Sequence, residues 1–240
     1  MSARGPADAL LELDRVNTYR GAAHVLRGVT LTVREAEAVC LVGRNGAGKT
    51  TTLDTAIGLL SARSGIVRLR GQDITRLPSH ARARLGIGYA PEDCGIFPDL
   101  TVAENLEIGR WLAEEKGARS DDRVQTLFPE IDQLTARRGL NLSGGQKKMV
   151  AIARALALAP VVLLLDEPFE GLAPVVVTRF IDAARRIKAM GVSLLIAESN
   201  VTNAARVADR LYAIDRGEIL FEGDPRAALD NVEVMKTLRG

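Results

Sequence analysis

The sequence contains one stretch that decides its fold, Gly43-Arg44-Asn45-Gly46-Ala47-Gly48-Lys49-Thr50. This stretch fits the pattern G-x-x-x-x-G-K-[ST], in which backbone N–H groups converge on phosphate oxygens and the following helix adds its positive N-terminal dipole. Glycine is needed there because the chain must turn tightly and approach its ligand without a Cβ in the way. In this pattern Lys49 reaches the β and γ phosphates, and the Thr50 hydroxyl binds Mg²⁺. The stretch therefore predicts a phosphate-binding loop.

The residues on either side of the phosphate loop predict a strand and a helix. Before the loop, Ala38–Val42 is continuously apolar, which is typical of a strand covered on both faces in a parallel sheet. After the loop, apolar residues recur at helical spacing at Leu53, Ala56, Ile57 and Leu60. The order strand, loop, helix is the context that a phosphate loop requires.

Two further apolar runs, Val161–Leu165 and Val192–Ala197, predict buried strands. Between them lies a predicted helix whose apolar face consists of Val177, Phe180, Ile181 and Ala184. Strands that alternate with helices predict an α/β fold with a mainly parallel sheet. Nearer the start, Val29, Leu31 and Val33 alternate with polar residues, and this period of two predicts a strand with one buried face in a small antiparallel layer.

Residues 92–154 differ from the rest of the chain, because they are polar, punctuated by turns and patterned as helices. The predicted fold class is α/β: a P-loop NTPase core with a mainly parallel sheet, a small antiparallel β layer and an inserted helical subdomain. We expect a single nucleotide-binding domain over residues 1–240. Its α/β core would comprise residues 1–91 and 155–240, and its helical subdomain residues 92–154.

Composition excludes several classes of protein. The chain has 240 residues and a net charge of +2, which is too small to indicate a nucleic-acid groove or an anionic membrane surface. Its apolar runs are only a few residues long, whereas a membrane-spanning helix needs about 20, and Met1 to Leu10 lacks the apolar segment of a secretory signal. We therefore expect a cytoplasmic protein. Four residues have no ligand spacing or obvious partner, and predict neither a disulfide, a metal site nor a nucleophile: Cys40, Cys94, His24 and His80.

A pair of acids, Asp166 and Glu167, follows the apolar run Val161–Leu165. Open parallel sheets bind ligands at the carboxyl edge of their strands, where the phosphate loop also lies. Asp166 is placed to hold magnesium, directly or through water. Glu167 points in a different direction and can polarise an attacking water in line with the γ phosphate. The pair and the phosphate loop together predict hydrolysis of a nucleoside triphosphate.

The most specific motif is Leu142-Ser143-Gly144-Gly145-Gln146. A serine and two glycines that open a helix, here predicted over Lys147–Ala159 and ended before Pro160, form an anion site of hydroxyl and free N–H groups. Such a cap can also be purely structural. Combined with the phosphate loop and the acidic pair, however, the motif closely resembles the nucleotide-binding subunits of ABC transporters.

This resemblance implies ATP and Mg²⁺ as cofactors and a site that two subunits share. In the family, the LSGGQ loop of one subunit closes over the ATP held by the phosphate loop of the other. The helical insert matches the family's helical subdomain, which touches the membrane partner. Tyr19 stands where the family has an aromatic that stacks on adenine, although an ordinary strand tyrosine remains an alternative. The implied ATP-binding residues are Tyr19, Gly43, Arg44, Asn45, Gly46, Ala47, Gly48, Lys49, Thr50, Thr51, Ser143, Gly144, Gly145 and Gln146.

Four positions depart from the commonest family pattern. Glu92 stands in place of a glutamine that links magnesium and water to the membrane domain; a carboxylate can still bind metal, but it donates no hydrogen bond when ionised. Ser199 replaces the switch histidine, Ala173 replaces an aspartate, and Ala36 replaces a turn glycine. The resemblance implies catalytic roles for Glu167, Glu92 and Ser199. It implies metal ligation by Thr50, Asp166 and Glu92.

The departures resemble one branch of the family, the second ATPase of branched-chain, or hydrophobic, amino-acid importers. The likeness lies in Pro91-Glu92, Gly171-Leu172-Ala173-Pro174 and Glu198-Ser199-Asn200, and it extends over residues 11–238. In that branch the switch position often carries glutamine, so Ser199 remains a departure. The branch implies a second ATPase subunit, either a non-identical sister or a second copy, two transmembrane permease subunits and, indirectly, a periplasmic or extracellular substrate-binding protein. It implies no nucleic acid, and a location on the cytoplasmic face of the inner (plasma) membrane.

Other functions stay open on the sequence. A non-transport ABC ATPase would usually carry two cassettes or a long coiled-coil arm, and this sequence shows neither. A small P-loop kinase has no reason to carry the LSGGQ helix. If Glu92 and Ser199 prevent ATP hydrolysis, the chain would instead be a structural partner that responds to ATP binding without hydrolysing it. Within the importer group, urea, short amides and other amino acids are alternative substrates.

Overall fold

The computed structural model describes residues 9–115, 117 and 127–239. The first half of the chain contains β1 (Ala9–Arg20), β2 (Ala23–Arg34), β3 (Ala38–Val42), α1 (Lys49–Ile57), β4 (Ala62–Leu69), β5 (Gln72–Asp73), α2 (Ser79–Arg84), β6 (Ile87–Ala90) and α3 (Val102–Glu115). Two short 3-10 helices follow, Pro129–Gln133 and Gly139–Asn141. The second half contains α4 (Gly144–Ala157), β7 (Val162–Asp166), α5 (Pro174–Ala189), β8 (Ser193–Glu198), α6 (Val201–Ala205), β9 (Arg210–Asp215), β10 (Glu218–Gly223), α7 (Pro225–Asp230) and α8 (Val232–Arg239). Within the described ranges, no helix is both long and apolar enough to span a bilayer.

The larger of two sheets has six strands in the order β10-β9-β3-β8-β7-β6. All neighbours from β9 to β6 are parallel, and only β10 pairs antiparallel, with β9. Every residue of β3, β7 and β8 is buried, because helices or the second sheet cover both faces. The predicted parallel sheet with continuously apolar strands is therefore confirmed, with β7 and β8 each beginning and ending one residue later than their apolar runs.

The smaller sheet is antiparallel, in the order β2-β1-β4-β5. Val29, Leu31 and Val33 are fully buried on β2, which confirms the strand with one buried face. They join a cluster that includes Leu41 of β3 and Leu53 of α1. One hydrophobic core thus lies between the antiparallel layer and one face of the parallel sheet, and it holds the phosphate loop between two rigid layers.

The opposite face of the parallel sheet is covered by α3, α4 and α5. The predicted apolar face of α5 is confirmed, since its four residues are all buried: Val177, Phe180, Ile181 and Ala184. Within residues 92–154 the structure describes α3, the two 3-10 helices and most of α4. The helix α4 runs without a break through the predicted boundary between Arg154 and Ala155, because its apolar side belongs to the same core as the sheet. Residues 1–8, 116, 118–126 and 240 of the predicted domain lie outside the described residues.

Two predicted helices have different ends in the structure. The helix α1 ends at Ile57, so Leu60 lies beyond it; Gly58 adopts φ 85°, and the Gly58, Leu59 and Leu60 N–H groups all donate to the Asp54 carbonyl. The helix α4 begins at Gly144 instead of Lys147, because the Ser143 cap starts it three residues earlier. It ends at Ala157 instead of Ala159. The φ of Ala159 is positive, at 51°, and so is not helical.

Candidate functional site

Three loops meet at the carboxyl edge of the parallel sheet. The phosphate loop follows β3, the acidic pair ends β7, and Ser199 follows β8, which lies between β3 and β7 in the sheet. This strand order places Ser199 between the phosphate loop and the acidic pair. The site is therefore assembled by three neighbouring strand ends, as the sequence predicted for the first two of them.

The phosphate loop needs glycine at two positions for different reasons. Gly48 adopts φ 115° at the N-terminus of α1, a backbone conformation that side chains disfavour. Gly43 has an ordinary φ, but a Cβ there would lie 2.5 Å from the Ile214 carbonyl oxygen. Ala47 is buried, whereas Arg44, Asn45 and Gly46 are exposed. The loop thus passes tightly beneath β9 and presents its middle residues to solvent.

Lys49 lies inside the loop, with only 5% of its side chain exposed. Its ammonium donates hydrogen bonds to the Gly43 carbonyl at 2.8 Å, the Arg44 carbonyl at 3.2 Å and the Ser199 Oγ at 2.9 Å. It also forms an ion pair of 3.0 Å with the Glu167 Oε1. A buried charge requires such partners, and here they join the phosphate loop to the acidic pair.

Glu167 is held at both its main chain and its side chain. Its φ is 45°, in the left-handed region, and its N–H donates to the Ala197 carbonyl at 2.9 Å. Its carboxylate accepts hydrogen bonds from the Ser199 N–H at 3.0 Å and the Ser199 Oγ at 2.6 Å. Its carbonyl accepts a hydrogen bond from the Lys148 ammonium. The carboxylate thus has a defined direction next to the phosphate loop.

Ser199 connects three parts of the site. Besides its contacts with Lys49 and Glu167, its Oγ lies 3.0 Å from the Asn45 Oδ1. The Ser199 hydroxyl has one proton to donate. The Glu167 carboxylate is charged and makes the shorter contact, so it is the stronger acceptor and receives this proton in the hydrogen bond. The helix α6 begins directly afterwards, with the Asn200 side chain accepting from the Asn203 N–H. The short serine side chain therefore joins the end of β8 to Glu167.

Asp166 is suited to bind a cation. It is 3% exposed, and neither carboxylate oxygen has a hydrogen-bond partner within the part of the chain that the structure describes. Burial raises the pKa of Asp166 to about 6; the Thr50 side chain acts against this shift, whereas the nearby carboxylates of Glu167 and Glu92 add to it. Asp166 faces a cleft that Thr50 and the exposed Glu92 also line. Hard oxygen donors of this kind fit Mg²⁺, which usually keeps several waters and binds one or two carboxylates plus substrate phosphates.

The described residues contain no group of three or more His, Cys, Asp or Glu side chains able to hold a metal without help. Thr51 is 5% exposed, and its hydroxyl accepts a hydrogen bond from Arg20 at 3.0 Å. Arg20 also pairs with Asp54, so β1 is fastened to α1 beside the phosphate loop.

Tyr19 belongs to an aromatic stack at the end of β1. The His24 ring lies parallel to it, with ring centroids 4.3 Å apart, and the Arg63 guanidinium lies 5.0 Å from the Tyr19 centroid. The His24 Nε2 also contacts the Asn17 Oδ1 at 3.1 Å. The residues near His24 in the sequence offered no obvious partner for it, and the structure supplies Tyr19 and Asn17. The sequence signal for this contact was a short hairpin between β1 and β2, which pairs Tyr19 with His24.

Glu198 is a buried acid that the sequence analysis did not assign to the site. It is 2% exposed; its Oε1 accepts a hydrogen bond from the Asn200 N–H at 2.9 Å, and its Oε2 has no partner among the described residues. Burial raises the pKa of Glu198 to about 7. The sequence signal for Glu198 was its position directly after a run of apolar strand residues, the same pattern that pointed to Asp166.

The LSGGQ motif forms a complete helix cap. The Ser143 Oγ accepts from the Gln146 N–H at 3.3 Å, and the Gln146 Oε1 accepts from the Ser143 N–H at 2.9 Å. Ser143 and Gly144 are exposed, and Gly145 and Gln146 are half-buried. Among the described residues, no hydrogen bond joins Ser143–Gln146 to the phosphate loop. Within one chain, the structure therefore brings together Lys49, Asn45, Glu167 and Ser199, but not the LSGGQ motif.

Comparisons with known proteins agree with this geometry. The family model described as ABC transporter matches residues 26–170. The branched-chain amino acid transport ATP-binding protein BraG of Pseudomonas aeruginosa is 36% identical over 96% of this chain and 100% of its own length. The lipopolysaccharide export system ATP-binding protein LptB of Escherichia coli is 37% identical over 92% of this chain and 93% of its own.

Solved structures show the same architecture. The ADP conformation of MJ1267, an ATP-binding cassette of an ABC transporter, superposes with a TM-score of 0.82 and 27% identity, covering 97% of this chain and 99% of that chain. A dimeric post-hydrolysis state of the cassette MJ0796, bound to ADP and Pi, has a TM-score of 0.77 and 25% identity, covering 90% and 99%. The fold and the phosphate loop of this chain are thus those of a nucleotide-hydrolysing cassette.

Proposed function

This chain belongs to the ABC transporter family as an ATP-hydrolysing subunit, and we propose that it powers the uptake of branched-chain amino acids or related small solutes through a membrane permease. The observation that carries the ATPase role is the convergence of Lys49, Glu167 and Ser199 at three neighbouring strand ends. The observation that carries the solute class is the likeness to BraG, which extends over the whole of that protein.

The phosphate loop binds the ATP phosphates in this proposal. Its N–H groups and the N-terminus of α1 face the phosphates of the nucleotide, and Lys49 turns from the Gly43 and Arg44 carbonyls to the β and γ phosphate oxygens. The phosphate-binding residues are those from Gly43 to Thr50 together with Thr51. Tyr19 stacks on the adenine when the Arg63 guanidinium, which lies over the ring in this structure, moves aside, and His24 supports the ring from the neighbouring strand.

Glu167 acts as the general base for hydrolysis. Its carboxylate takes a proton from the attacking water, while the two hydrogen bonds from Ser199 keep it aimed toward the phosphate loop. When Lys49 engages a phosphate, the 3.0 Å ion pair loosens and leaves the Glu167 Oε1 free to accept that proton. Ser199 therefore performs by position part of what the switch histidine performs in the family.

Asp166, Thr50 and Glu92 would hold Mg²⁺. The buried Asp166 oxygens without partners are the strongest support, and Glu92 stands at the mouth of the same cleft. When bound there, Mg²⁺ neutralises charge on the β and γ phosphate oxygens. Asp166 must be ionised to serve as its ligand, although burial favours the protonated form; a cation in the cleft offsets that cost.

A complete site needs a second cassette. The Ser143–Gln146 cap is exposed and lies apart from the chain's own phosphate loop, so it serves a nucleotide held by another subunit. The dimeric MJ0796 structure supports this arrangement. The second cassette is a non-identical sister or a second copy of this chain.

Residues 92–154 form the helical subdomain of the cassette and meet the permease. Three large apolar side chains are exposed among the described residues of this stretch: Phe97 at 48%, Trp111 at 58% and Leu140 at 51%. Isolated exposed side chains are common, but these three lie in the segment through which the family contacts its membrane partner. The assembly then comprises two cassettes and two permease subunits on the cytoplasmic face of the inner membrane. A substrate-binding protein outside the membrane acts on it indirectly, and no nucleic acid takes part.

A second solute class has specific support, because LptB is as similar in identity as BraG. The two classes differ in direction as well as in chemistry, since BraG is named for amino-acid transport and LptB for lipopolysaccharide export. We favour amino acids because Glu92, the Ala173-Pro174 sequence and the Glu198 and Asn200 positions of the switch match the importer branch, although Ser199 between them departs from it.

Deleting the gene in its own host tests the proposal. We expect uptake of radiolabelled leucine, isoleucine and valine to fall, and to recover with the wild-type gene but not with Glu167→Gln. Uptake of an unrelated sugar serves as control. Normal amino-acid uptake together with loss of surface lipopolysaccharide would favour export instead. Normal behaviour in both assays would contradict both assignments.

A further inference from the structure

Lys148 makes a contact with the catalytic acid that none of the sequence motifs explains. It lies in the second turn of α4, just beyond the LSGGQ cap, and is half-buried. Its ammonium crosses to the end of β7 and donates a hydrogen bond to the carbonyl oxygen of Glu167. The helix that carries the LSGGQ motif is thus joined to the acid that activates water in the same chain.

The backbone at Glu167 needs this support. Its φ of 45° is one that non-glycine residues keep only where the surroundings enforce it. The next residue is Pro168, which has no N–H. The peptide between them can therefore be held through hydrogen bonding only at the Glu167 carbonyl.

Two groups donate to that carbonyl, and they are not equivalent. The Glu170 N–H donates at 3.3 Å, near the limit for a hydrogen bond, within the same turn. Lys148 is the charged donor, and hydrogen bonds with an ionised partner are about twice as strong as neutral ones. It is also the donor that comes from another element of the fold, so it fixes the turn relative to α4.

The neighbouring lysine provides an internal comparison. Lys147 lies on the same helix, is also half-buried and carries the same charge. Within the described residues its side chain makes no hydrogen bond or ion pair, and only its N–H is bonded, to the Ser143 carbonyl. Any effect that is specific to Lys148 therefore reflects its contact and not the charge of the helix.

We propose that Lys148 is a positioning residue for ATP hydrolysis. Its ammonium holds the Glu167 main chain so that the carboxylate points at the attacking water, and Lys148 itself touches neither nucleotide nor metal. The inference rests on the proposed role of Glu167 as general base. It adds that the orientation of Glu167 depends on α4, so that a shift of the LSGGQ helix reaches the hydrolytic site.

The test compares phosphate release with MgATP by the full-length chain assembled with its sister cassette, for wild type, Lys148→Met, Lys148→Arg, Lys147→Met and Glu167→Gln. Methionine keeps the length of the side chain and the helix propensity but removes the donor. We expect kcat of Lys148→Met to fall about tenfold, the loss of one hydrogen bond to a charged group. KM, ADP affinity by calorimetry and Tm should stay close to wild type. Lys148→Arg should recover most of kcat, and Lys147→Met should match wild type.

Three results would overturn the inference. An unchanged kcat in Lys148→Met would show that the contact does not matter for turnover. Parallel losses of Tm, ADP affinity and kcat, without recovery in Lys148→Arg, would show a merely structural lysine. Turnover retained in Glu167→Gln but lost in Lys148→Met would show that Lys148 acts by another route. The transported solute does not enter this assay, so failure of the importer assignment would appear only in the uptake experiment.

Discussion

Single side chains decide whether the loops of this site work together. Lys49, Glu167 and Ser199 form one contact group in which each has at least one partner from a different strand end. The group is buried, so a change in one member leaves a charge or polar group of another without its partner. Predictions at this level therefore separate binding of nucleotide from turnover.

Replacing Glu167 by glutamine should abolish turnover and preserve binding. The amide has nearly the same shape, and its single oxygen can still accept one of the two hydrogen bonds from Ser199, but it cannot take a proton from water. We expect phosphate release to fall by about 10²–10⁴-fold, while calorimetry still detects MgATP. Glu170→Gln, at an exposed neighbour, should have no effect. A fall of less than tenfold would place the catalytic carboxylate elsewhere, with Glu92 the next candidate.

Replacing Glu198 by glutamine should stabilise the protein at high pH. The pKa of Glu198 rises from 4.5 to about 7 because of burial. Between these values the folded protein holds a proton that the unfolded chain has lost, so stability decreases as pH rises through this window. Glutamine removes that decrease. One pKa unit is worth about 1.4 kcal/mol, so we expect Glu198→Gln to exceed wild type by about 3 kcal/mol at pH 8, and to equal it below pH 4.5.

Denaturant unfolding at several pH values measures this effect. Glu170→Gln is the matched control, since Glu170 is exposed and should show no dependence on pH relative to wild type. Equal stability of Glu198→Gln and wild type at pH 8 would mean that Glu198 is ionised at no cost in the folded protein.

The turn between β2 and β3 sets where β3 begins, and its backbone is strained. The turn between β2 and β3 places Ala36 at φ 52°, where the family usually has glycine. An alanine in the left-handed region costs about 1–2 kcal/mol. The same turn is closed by a hydrogen bond from the Glu37 N–H to the Arg34 carbonyl, which enforces the conformation.

Replacing Ala36 by glycine should therefore stabilise the fold. The relief of strain exceeds the added freedom of the unfolded chain, which is about 0.4–1 kcal/mol. We expect a net gain of about 0.5–1 kcal/mol in the free energy of unfolding. Ala23→Gly, in β2 at an exposed position without positive φ, should lose stability and serves as control. Equal losses in both variants would show that the turn at Ala36 is unstrained.

In the proposed assembly, the molecule as a whole presents half of each of two composite sites. Its phosphate loop lies at the carboxyl edge of the sheet, and Ser143 and Gly144 of its LSGGQ cap are exposed at the start of α4; within the described residues, no hydrogen bond joins the cap to that loop. This proposal needs two cassettes to bring one of each together around a nucleotide. Ala173 and Ser199 lie in loops beside the site, and a sister cassette with the usual residues would compensate for both.

We expect the isolated chain to be monomeric without nucleotide. The Glu167→Gln variant with MgATP should dimerise weakly with itself and more tightly with the sister cassette, because the bound nucleotide then joins the two halves of each site. Sedimentation velocity of the variant, alone and with the sister chain, measures this. The same mixtures with ADP are the control and should stay dissociated. A tight homodimer that ignores the sister would contradict the heteromeric assembly.

Local patterns in the sequence were sufficient for most of the architecture. The continuous apolar runs before Gly43 and Asp166 predicted buried parallel strands, and the period of two at Val29–Val33 predicted the antiparallel layer. They succeeded because burial on one or both faces imposes a periodicity that short windows reveal. The helix ends were less predictable, as Leu60 and Lys147 show, because caps and glycine conformations move them by a few residues.

The sequence alone determined the chemistry: a phosphate loop, an acidic pair and a signature cap, each recognisable within a few consecutive residues. Only the tertiary structure decided how these parts touch. Ser199 meets Lys49 and Glu167 because β8 lies between β3 and β7, and Lys148 reaches the Glu167 carbonyl because α4 packs beside β7. Such contacts join residues 19 to 150 positions apart. They depend on strand order and on the packing of whole layers, which no local pattern of residues encodes.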